Sequence, residues 1–590
     1  MLANIWLLVG VVATLSPDAA SADLEARRKA FQKLLDEQWE YTLSHAPEFA
    51  SILGDKRWND KSSDLSAAAV LKDQEKDKEF LKKFDAVDTT GFPDQEALTR
   101  TLLARNYREA IEDAHWKDWE MPVTQINGFH IQAPQLVSLL SFETVKDYDD
   151  YTARLKALPR QLSDVTERMR LGMADHLMPP KFLLAKIAEQ ADGIASQKPE
   201  DSPFAVPLAT MPDSFLAEDK ARIRQAVLGE IRGQVQPAYA RFAKFVREDY
   251  APHGRREPGV WSLPDGLARY ATIVKRQTTT DKTAEEIHQI GLEQVARIEK
   301  EMNAVAAQLG FSNWQALNAS IAKDPKRHFH SREEIVELYR KYISGMKPEL
   351  PKLFGRLPKA DVLVMPVEQF REKEASGAQY NQGTPDGSRP GHVMVNTGDP
   401  ESRKTIQTES TAYHEGVPGH HLQISIAQEL EGLPPVRQQS FYTAFVEGWA
   451  LYSERLGKEI GFYRDPYSDF GRLQDEMLRA IRLVVDTGLH SKKWTRQQVV
   501  DFFHAHSAID EVEVQSETDR YISDPGQALA YMMGQLKILE LRARAQKELG
   551  SAFDLRAFHD AVLGAGALPL DVLSSRMDDW IASEKKNRHS

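Results

Sequence analysis

The chain contains no cysteine. That excludes a disulfide framework, a thiolate metal site and a cysteine nucleophile, so any metal must be held by His, Asp or Glu. It has no block of Lys and Arg either: 75 basic residues are spread among 87 acidic ones over 590 positions, for a formal charge of −12. A nucleic-acid binder needs a concentrated basic stripe to displace counterions from phosphates, so no nucleic-acid partner is expected. No apolar run reaches the length of a bilayer-spanning helix. Gly and Pro, 33 and 30 residues, stand at ordinary levels, which excludes a collagen-like or low-complexity chain and argues against wholesale disorder.

What is there begins with a short apolar stretch, Ile5 to Leu15, followed by Ala20-Ser21-Ala22 and charged sequence from Asp23. Small-x-small after a short apolar core is the pattern a signal peptidase accepts. Residues 1–22 therefore read as a secretory signal cleaved between Ala22 and Asp23, giving a periplasmic or secreted protein with no stable membrane span. The segment ahead of Ile5 carries no Lys or Arg, and the competing reading is an N-terminal anchor or a buried helix. With no cysteine near the cleavage point, a lipid-modified N-terminus of the bacterial lipoprotein type is excluded.

Helical periodicity dominates the rest. Thr283 and Glu286 form a capping-box pattern, and apolar positions follow at Ile287, Gly291, Val295, Ile298, Met302, Val305 and Leu309, with Gly310 where a helix would stop. Similar spacing predicts helices over Leu24–Ser44, Pro93–Asp113, Thr144–Met173, Ala217–Asp249, Ser331–Lys347, Ser440–Glu459, Asp469–Leu489, Thr495–His506 and Gly526–Leu549. The best strand candidate is His392–Thr397, inside the breaker-rich stretch Gly377–Asp399. The expected fold is mainly α, a single large helical domain over 23–590 with one small β-sheet, organised as two lobes of about 23–280 and 281–590.

One segment carries chemistry: His414-Glu415-Gly416-Val417-Pro418-Gly419-His420-His421. In the zinc-peptidase pattern H-E-x-x-H, two His at i and i+4 share a helix face and the Glu is the general base. Here position i+4 is Pro418. In an ideal helix His420 would be rotated about 240° from His414, and His421, nearly in line, would sit about 10.5 Å further along the axis. Pro418 removes a backbone bond to the carbonyl of His414, and Gly419 tolerates unusual dihedrals. A widened turn that absorbs two residues would bring His420 to the place of the missing ligand, which favours it over His421. A third ligand is expected at Glu447, beside Gly448 on a helix whose stripe of Phe441, Phe445, Trp449, Tyr452 and Leu456 faces a core. Glu454, two turns on, reads as a surface or supporting carboxylate. Two His and one Glu leave a coordination position open, as catalytic zinc sites do.

These residues, with Pro47-Glu48, Gly54-Asp55, Leu263-Pro264-Asp265-Gly266, Asp386-Gly387-Ser388-Arg389-Pro390-Gly391, Glu447-Gly448-Trp449-Ala450, Asp486-Thr487-Gly488-Leu489-His490, Arg520-Tyr521 and Pro525-Gly526-Gln527-Ala528 with Tyr531, resemble the bacterial "domain of unknown function 885" family. That family is grouped by similarity with the thermolysin-like and angiotensin-converting-enzyme-like zinc metallopeptidases. The resemblance spans nearly the whole mature chain. It implies a helical fold around a deep cleft and a peptide hydrolase with one Zn2+ ion, held by His414, His420 and Glu447, with Glu415 as general base. By analogy Tyr531 donates to the oxyanion of the tetrahedral intermediate.

For substrate binding, Asn396 is a candidate on the strand His392–Thr397, read as an exposed edge that would pair with an extended peptide. Arg520 and Lys537 are candidates to hold a substrate carboxylate, with Gln527 beside them; His490 is read as structural or functional. The substrate is expected to be an oligopeptide. The same site would also suit a zinc amidase or esterase acting on a cell-wall fragment or small metabolite, and the fold alone would suit a non-catalytic helical binding protein.

Overall fold

The computed structural model describes residues 17–367, 372 and 375–587. The expected apolar core of the signal lies outside the described residues. Helix α1 (Pro17–His45) already runs through the expected cleavage point.

The described residues form two compact units, those up to Thr42 with Leu71–His115, and Leu43–Val70 with those from Trp116 on. Residue 280 falls inside the larger one. In the smaller unit, α1, α2 (Ala67–Asp85, from Leu71 on) and α3 (Asp94–Asp113) enclose Phe31, Phe80, Phe84, Leu102 and Leu103, all 3% exposed or less. Tyr107 stacks on Phe80 with ring centroids 5.5 Å apart, and Tyr41 donates to Asp73 at 2.6 Å.

The larger unit is helical with one small sheet. Its N-terminal part packs α4 (Val145–Ala174), α5 (Lys181–Ser196), α6 (Ala217–Glu230) and α7 (Gln236–Phe245) around Leu155, Leu184, Val227 and Tyr239. The helix expected over Ala217–Asp249 is there, but π-turns at Ile231–Val235 and Val246–Tyr250 interrupt it. The second core centres on α8 (Ala284–Gln308), where the Thr283–Glu286 capping box forms as the sequence implies and Ile287, Val295, Ile298 and Met302 are buried. Further on, α9 (Arg332–Met346) precedes the sheet.

The sheet joins β1 (Val362–Pro366), β2 (Ala378–Asn381) and β3 (Gly391–Val395) in the order β1-β3-β2. β3 is parallel to β1 and antiparallel to β2, pairing His392 with both Leu363 and Asn381. The expected strand therefore exists, but it is the central one. Its backbone is hydrogen-bonded on both sides and offers no edge to a peptide, so the edge reading is corrected; the partner strands lack a strong alternating pattern and were not visible in sequence.

The helices that matter for the site follow: α10 (Thr408–Glu415), α11 (His420–Glu429), α12 (Thr443–Glu459), α13 (Pro466–His490), α14 (Arg496–His506), α15 (Glu511–Ser523) and α16 (Ala530–Leu549). On α12 the stripe Phe445, Trp449, Tyr452 and Leu456 is fully buried. Phe441 departs from it, lying ahead of the helix and 61% exposed.

Candidate metal centre

The His-Glu segment does not form a widened turn. Helix α10 stops at Glu415, residues Gly416 to Gly419 make a loop with a cis Val417–Pro418 bond, and α11 starts afresh at His420. Pro418 has no N–H to continue the ladder from His414. Gly419 folds back over the end of its own helix, where an added Cβ would overlap the carbonyl oxygens of Tyr413 and His414. The loop is then fastened to α12: the Pro418 carbonyl accepts from Trp449 Nε1 at 2.9 Å and from Ser453 Oγ at 3.1 Å. A helix break, rather than a bulge, brings His420 beside His414.

Their rings meet edge to face with centroids 4.8 Å apart. Glu447 Oε2 lies 3.6 Å from His414 Nε2 and 3.3 Å from His420 Nε2. One ligand atom from each of the three residues falls within 4.8 Å of the others. His421, one residue on, turns away: its Nδ1 lies 3.1 Å from Tyr380 Oη and its Nε2 3.2 Å from the Ala360 carbonyl. Burial pushes its pKa down to about 4, so it is a neutral side chain held by the sheet region.

Two imidazoles and a carboxylate around one point are the donor set of a zinc-type ion. Glu447 Oε2 is buried with no hydrogen-bond partner among the described residues, which suits it to a cation. Burial works to raise the Glu447 carboxyl, but the His414 and His420 imidazoles beside it hold it well below the usual range. The reverse holds for His414: burial opposes its charge, yet Glu447 and Glu454 outweigh it and keep its pKa up at about 9. Glu454, 1% exposed, meets His414 Nδ1 at 2.8 Å through Oε1 and is a supporting carboxylate.

These elements lie within residues 47–577, which match the sequence family described as "Bacterial protein of unknown function (DUF885)". The chain belongs to that family. Among solved structures it is similar to a "putative lipoprotein" from Colwellia psychrerythraea, at 29% identity and TM-score 0.90, covering 94% of this chain and 99% of that one. A "putative lipoprotein of unknown function" from Shewanella oneidensis shares the fold at TM-score 0.68 and 17% identity, covering 93% and 99%. No curated protein matches. This DUF885 member contains no cysteine. Among its described residues no helix is long and apolar enough to cross a membrane.

The Glu415 side chain makes no hydrogen bond among the described residues, the residue is 9% exposed, and its charge adds to the field that favours protonated His414. It also raises the pKa of buried Tyr339, after burial itself. Tyr531 lies on α16 with its ring nearly parallel to that of His414, centroids 6.3 Å apart. Its approach follows from a glycine pair: Gly448 on α12 and Gly534 on α16 face each other, and a Cβ on either would overlap the other helix's backbone. That contact puts Tyr531, one turn before Gly534, near Glu447. Burial, then the Glu447 charge, raises the Tyr531 pKa, so the phenol stays protonated.

Arg520 and Gln527 join Tyr531 rather than open space. Arg520 donates to Glu517 at 3.2 Å and to Gln527 Oε1 at 2.7 Å, and Gln527 Nε2 reaches Tyr531 Oη at 3.4 Å. Arg520 is thus linked to the phenol through Gln527. Lys537 pairs with Glu540 at 2.5 Å. Asn396 is corrected outright: it is 2% exposed, its Nδ2 donates to the carbonyls of Glu372 (2.8 Å) and Ala375 (2.9 Å), and its Oδ1 accepts from Gly398 N (3.1 Å). Both amide hydrogens and the amide oxygen are thus bonded within the neighbouring loop. His490, fully buried between Val260 N and the Tyr521 carbonyl, is structural.

Sequence reasoning missed Arg482. It lies on α13 over the Tyr531 ring, 4.7 Å from the centroid, and donates to Tyr521 Oη at 3.0 Å and Glu517 at 2.9 Å. In the sequence it is one of several arginines on a charged helix, and nothing local marks it.

Proposed function

We propose that this protein is a zinc-dependent hydrolase of amide bonds in oligopeptides. The observation that carries the reading is the convergence of His414, His420 and Glu447 on one point, with the buried Glu447 Oε2 left without a hydrogen-bond partner among the described residues. His414 Nε2, His420 and Glu447 would hold one ion, with Glu454 fixing the His414 ring through Nδ1. When bound, such an ion supplies Lewis acidity toward an acyl carbonyl and acidifies water.

The chain's own residues do the rest. Glu415, adjacent to His414 and with no side-chain hydrogen bond among the described residues, accepts the proton of the attacking water and returns it to the leaving amine. Tyr531, kept protonated by burial and by Glu447, donates to the oxygen that gains charge. Arg482 and the Arg520–Gln527 pair hold that phenol in place. The apolar stretch Ile5–Leu15 before Ala20-Ser21-Ala22 supports a place outside the cytoplasm.

Metal analysis of the purified protein, followed by hydrolysis of a mixed peptide library with and without chelator, tests the reading. About one zinc per chain and chelator-sensitive cleavage are expected. A protein that takes up no zinc, or cleavage that ignores the chelator, would overturn it.

A further inference from the structure

Beside the metal centre lies a cavity of about 270 Å³ whose lining includes Tyr380 and Asn381 of β2, Arg389, Gln423 of α11, Phe441 and Val446. Two of these tie it to the centre. Gln423 follows His420 by three residues on the same helix, and residues so spaced are neighbours on one face. Val446 directly precedes Glu447.

Arg389 is the one charged residue among those lining the cavity. Its Nη1 donates to the Gln382 carbonyl at 2.9 Å and its Nη2 to the Ile52 carbonyl at 3.1 Å. A guanidinium has five N–H donors, so these two bonds position the group without exhausting it. No carboxylate pairs with it among the described residues. Burial lowers its pKa, as expected for a cation whose charge is not answered. The remaining polar lining is neutral, made largely of carboxamides. Gln423 is 3% exposed, and its Oε1 is buried with no hydrogen-bond partner among the described residues. An unanswered guanidinium is the complement of an anionic group, while the unpartnered Gln423 Oε1, an acceptor, suits an N–H of the same ligand.

We infer that this cavity takes a carboxylate of the peptide substrate, bound by Arg389 with Gln423 beside it. A carboxylate matches the planar fork of Arg in a way a neutral amide cannot. An extended peptide advances about 3.3 Å per residue, so the carboxylate belongs to a residue within a few positions of the bond at the metal centre. It comes from a free C-terminus or from an acidic side chain. The inference rests on the hydrolase reading for what becomes of the peptide, not for how it binds.

The test is a calorimetric titration of the full chain, zinc-loaded and carrying Glu415→Gln to stop turnover. The probes are three versions of one N-acetylated apolar pentapeptide: a free C-terminal acid, the C-terminal amide, and the amide with one residue replaced by Glu. At least one carboxylate-bearing version should bind about tenfold or more tighter than the neutral amide, and which one does so names the source. Adding Arg389→Gln should remove that preference. Since this change also removes bonds to Gln382 and Ile52, Gln423→Glu serves as the second variant: it keeps Arg389 but supplies a competing carboxylate and should also abolish the preference. Equal binding of all three peptides, no binding at all, or a preference that survives both changes would overturn the inference. Turnover is read separately on the unsubstituted chain. A carboxylate preference without hydrolysis would sink the hydrolase reading and leave the cavity assignment standing.

Discussion

His414 gives its Nδ1–H to Glu454 Oε1 over 2.8 Å, and that bond decides which ring nitrogen faces Glu447. Glu454 is itself 1% exposed, with Arg479 at 3.8 Å as its cationic neighbour. A buried carboxylate behind a ligating imidazole fixes the ring and raises its basicity. Glu454→Gln keeps an acceptor of the same shape but removes the charge. Zinc affinity should fall about 10- to 100-fold, measured by competition with a chelating dye. An unchanged affinity would show that Glu454 has no part in metal binding.

Glu415 and Glu447 should separate chemistry from binding. Glu447 has its Oε2 within 3.6 Å of both His Nε2 atoms, whereas Glu415 lies outside that set. Glu447→Gln replaces an anionic ligand with a neutral amide and should lose most of the zinc. Glu415→Gln should retain zinc and lose turnover about a hundredfold or more, the scale of a positioned proton transfer. Metal content and kcat measured on both variants distinguish the roles. Full turnover in zinc-loaded Glu415→Gln would rule out this mechanism.

Much of this was legible in the sequence. The capping box at Thr283 and the buried part of the α12 stripe follow from short-range spacing, and local rules govern short-range features. His420 rather than His421 also emerged, but for a different reason: Pro418 and Gly419 end one helix and let another begin, where a widened turn was expected. What spacing does not encode is which strands will pair. The partners of β3 begin at Val362 and Ala378, and only their arrival on both sides made His392 central and drew Asn396 into its own loop. Arg389 sits in a Gly- and Pro-rich turn and Arg482 on a charged helix. Their importance comes from what tertiary packing places around them.

The Gly448–Gly534 contact gives a stability prediction that also reads on the site. A Cβ at Gly534 would overlap the Ala444 carbonyl oxygen and the Gly448 Cα, both backbone atoms that cannot rotate away. Gly534→Ala must therefore push α12 and α16 apart. Overpacking of this kind costs about 1–3 kcal/mol, to be read from urea unfolding. Because α12 carries Glu447 and α16 carries Tyr531, turnover should fall more than zinc content. If stability is unchanged, the two helices do not cross this closely.

Acid should destabilise the protein through histidines that are buried neutral, and His490 is the clearest. It is fully buried, its Nδ1 accepts from Val260 N at 3.0 Å and its Nε2–H donates to the Tyr521 carbonyl at 3.0 Å. Protonation would turn Nδ1 into a donor facing a donor. Burial pushes its pKa down to about 3, against about 6.5 in an unfolded chain. Below pH 6.5 the unfolded chain takes up a proton that the folded one refuses, so this contribution is complete above that pH and is lost as the pH falls toward 3. At pH 5 the loss amounts to about 2 kcal/mol for this one residue. His559, pushed down to about 3, and His130, pushed down to about 4, act in the same direction. Urea unfolding at pH 7 and pH 5 should show a drop in wild type that is about 2 kcal/mol smaller in His490→Gln, whatever that change costs at pH 7. Identical pH dependence in the two proteins would mean that His490 titrates freely in the folded state.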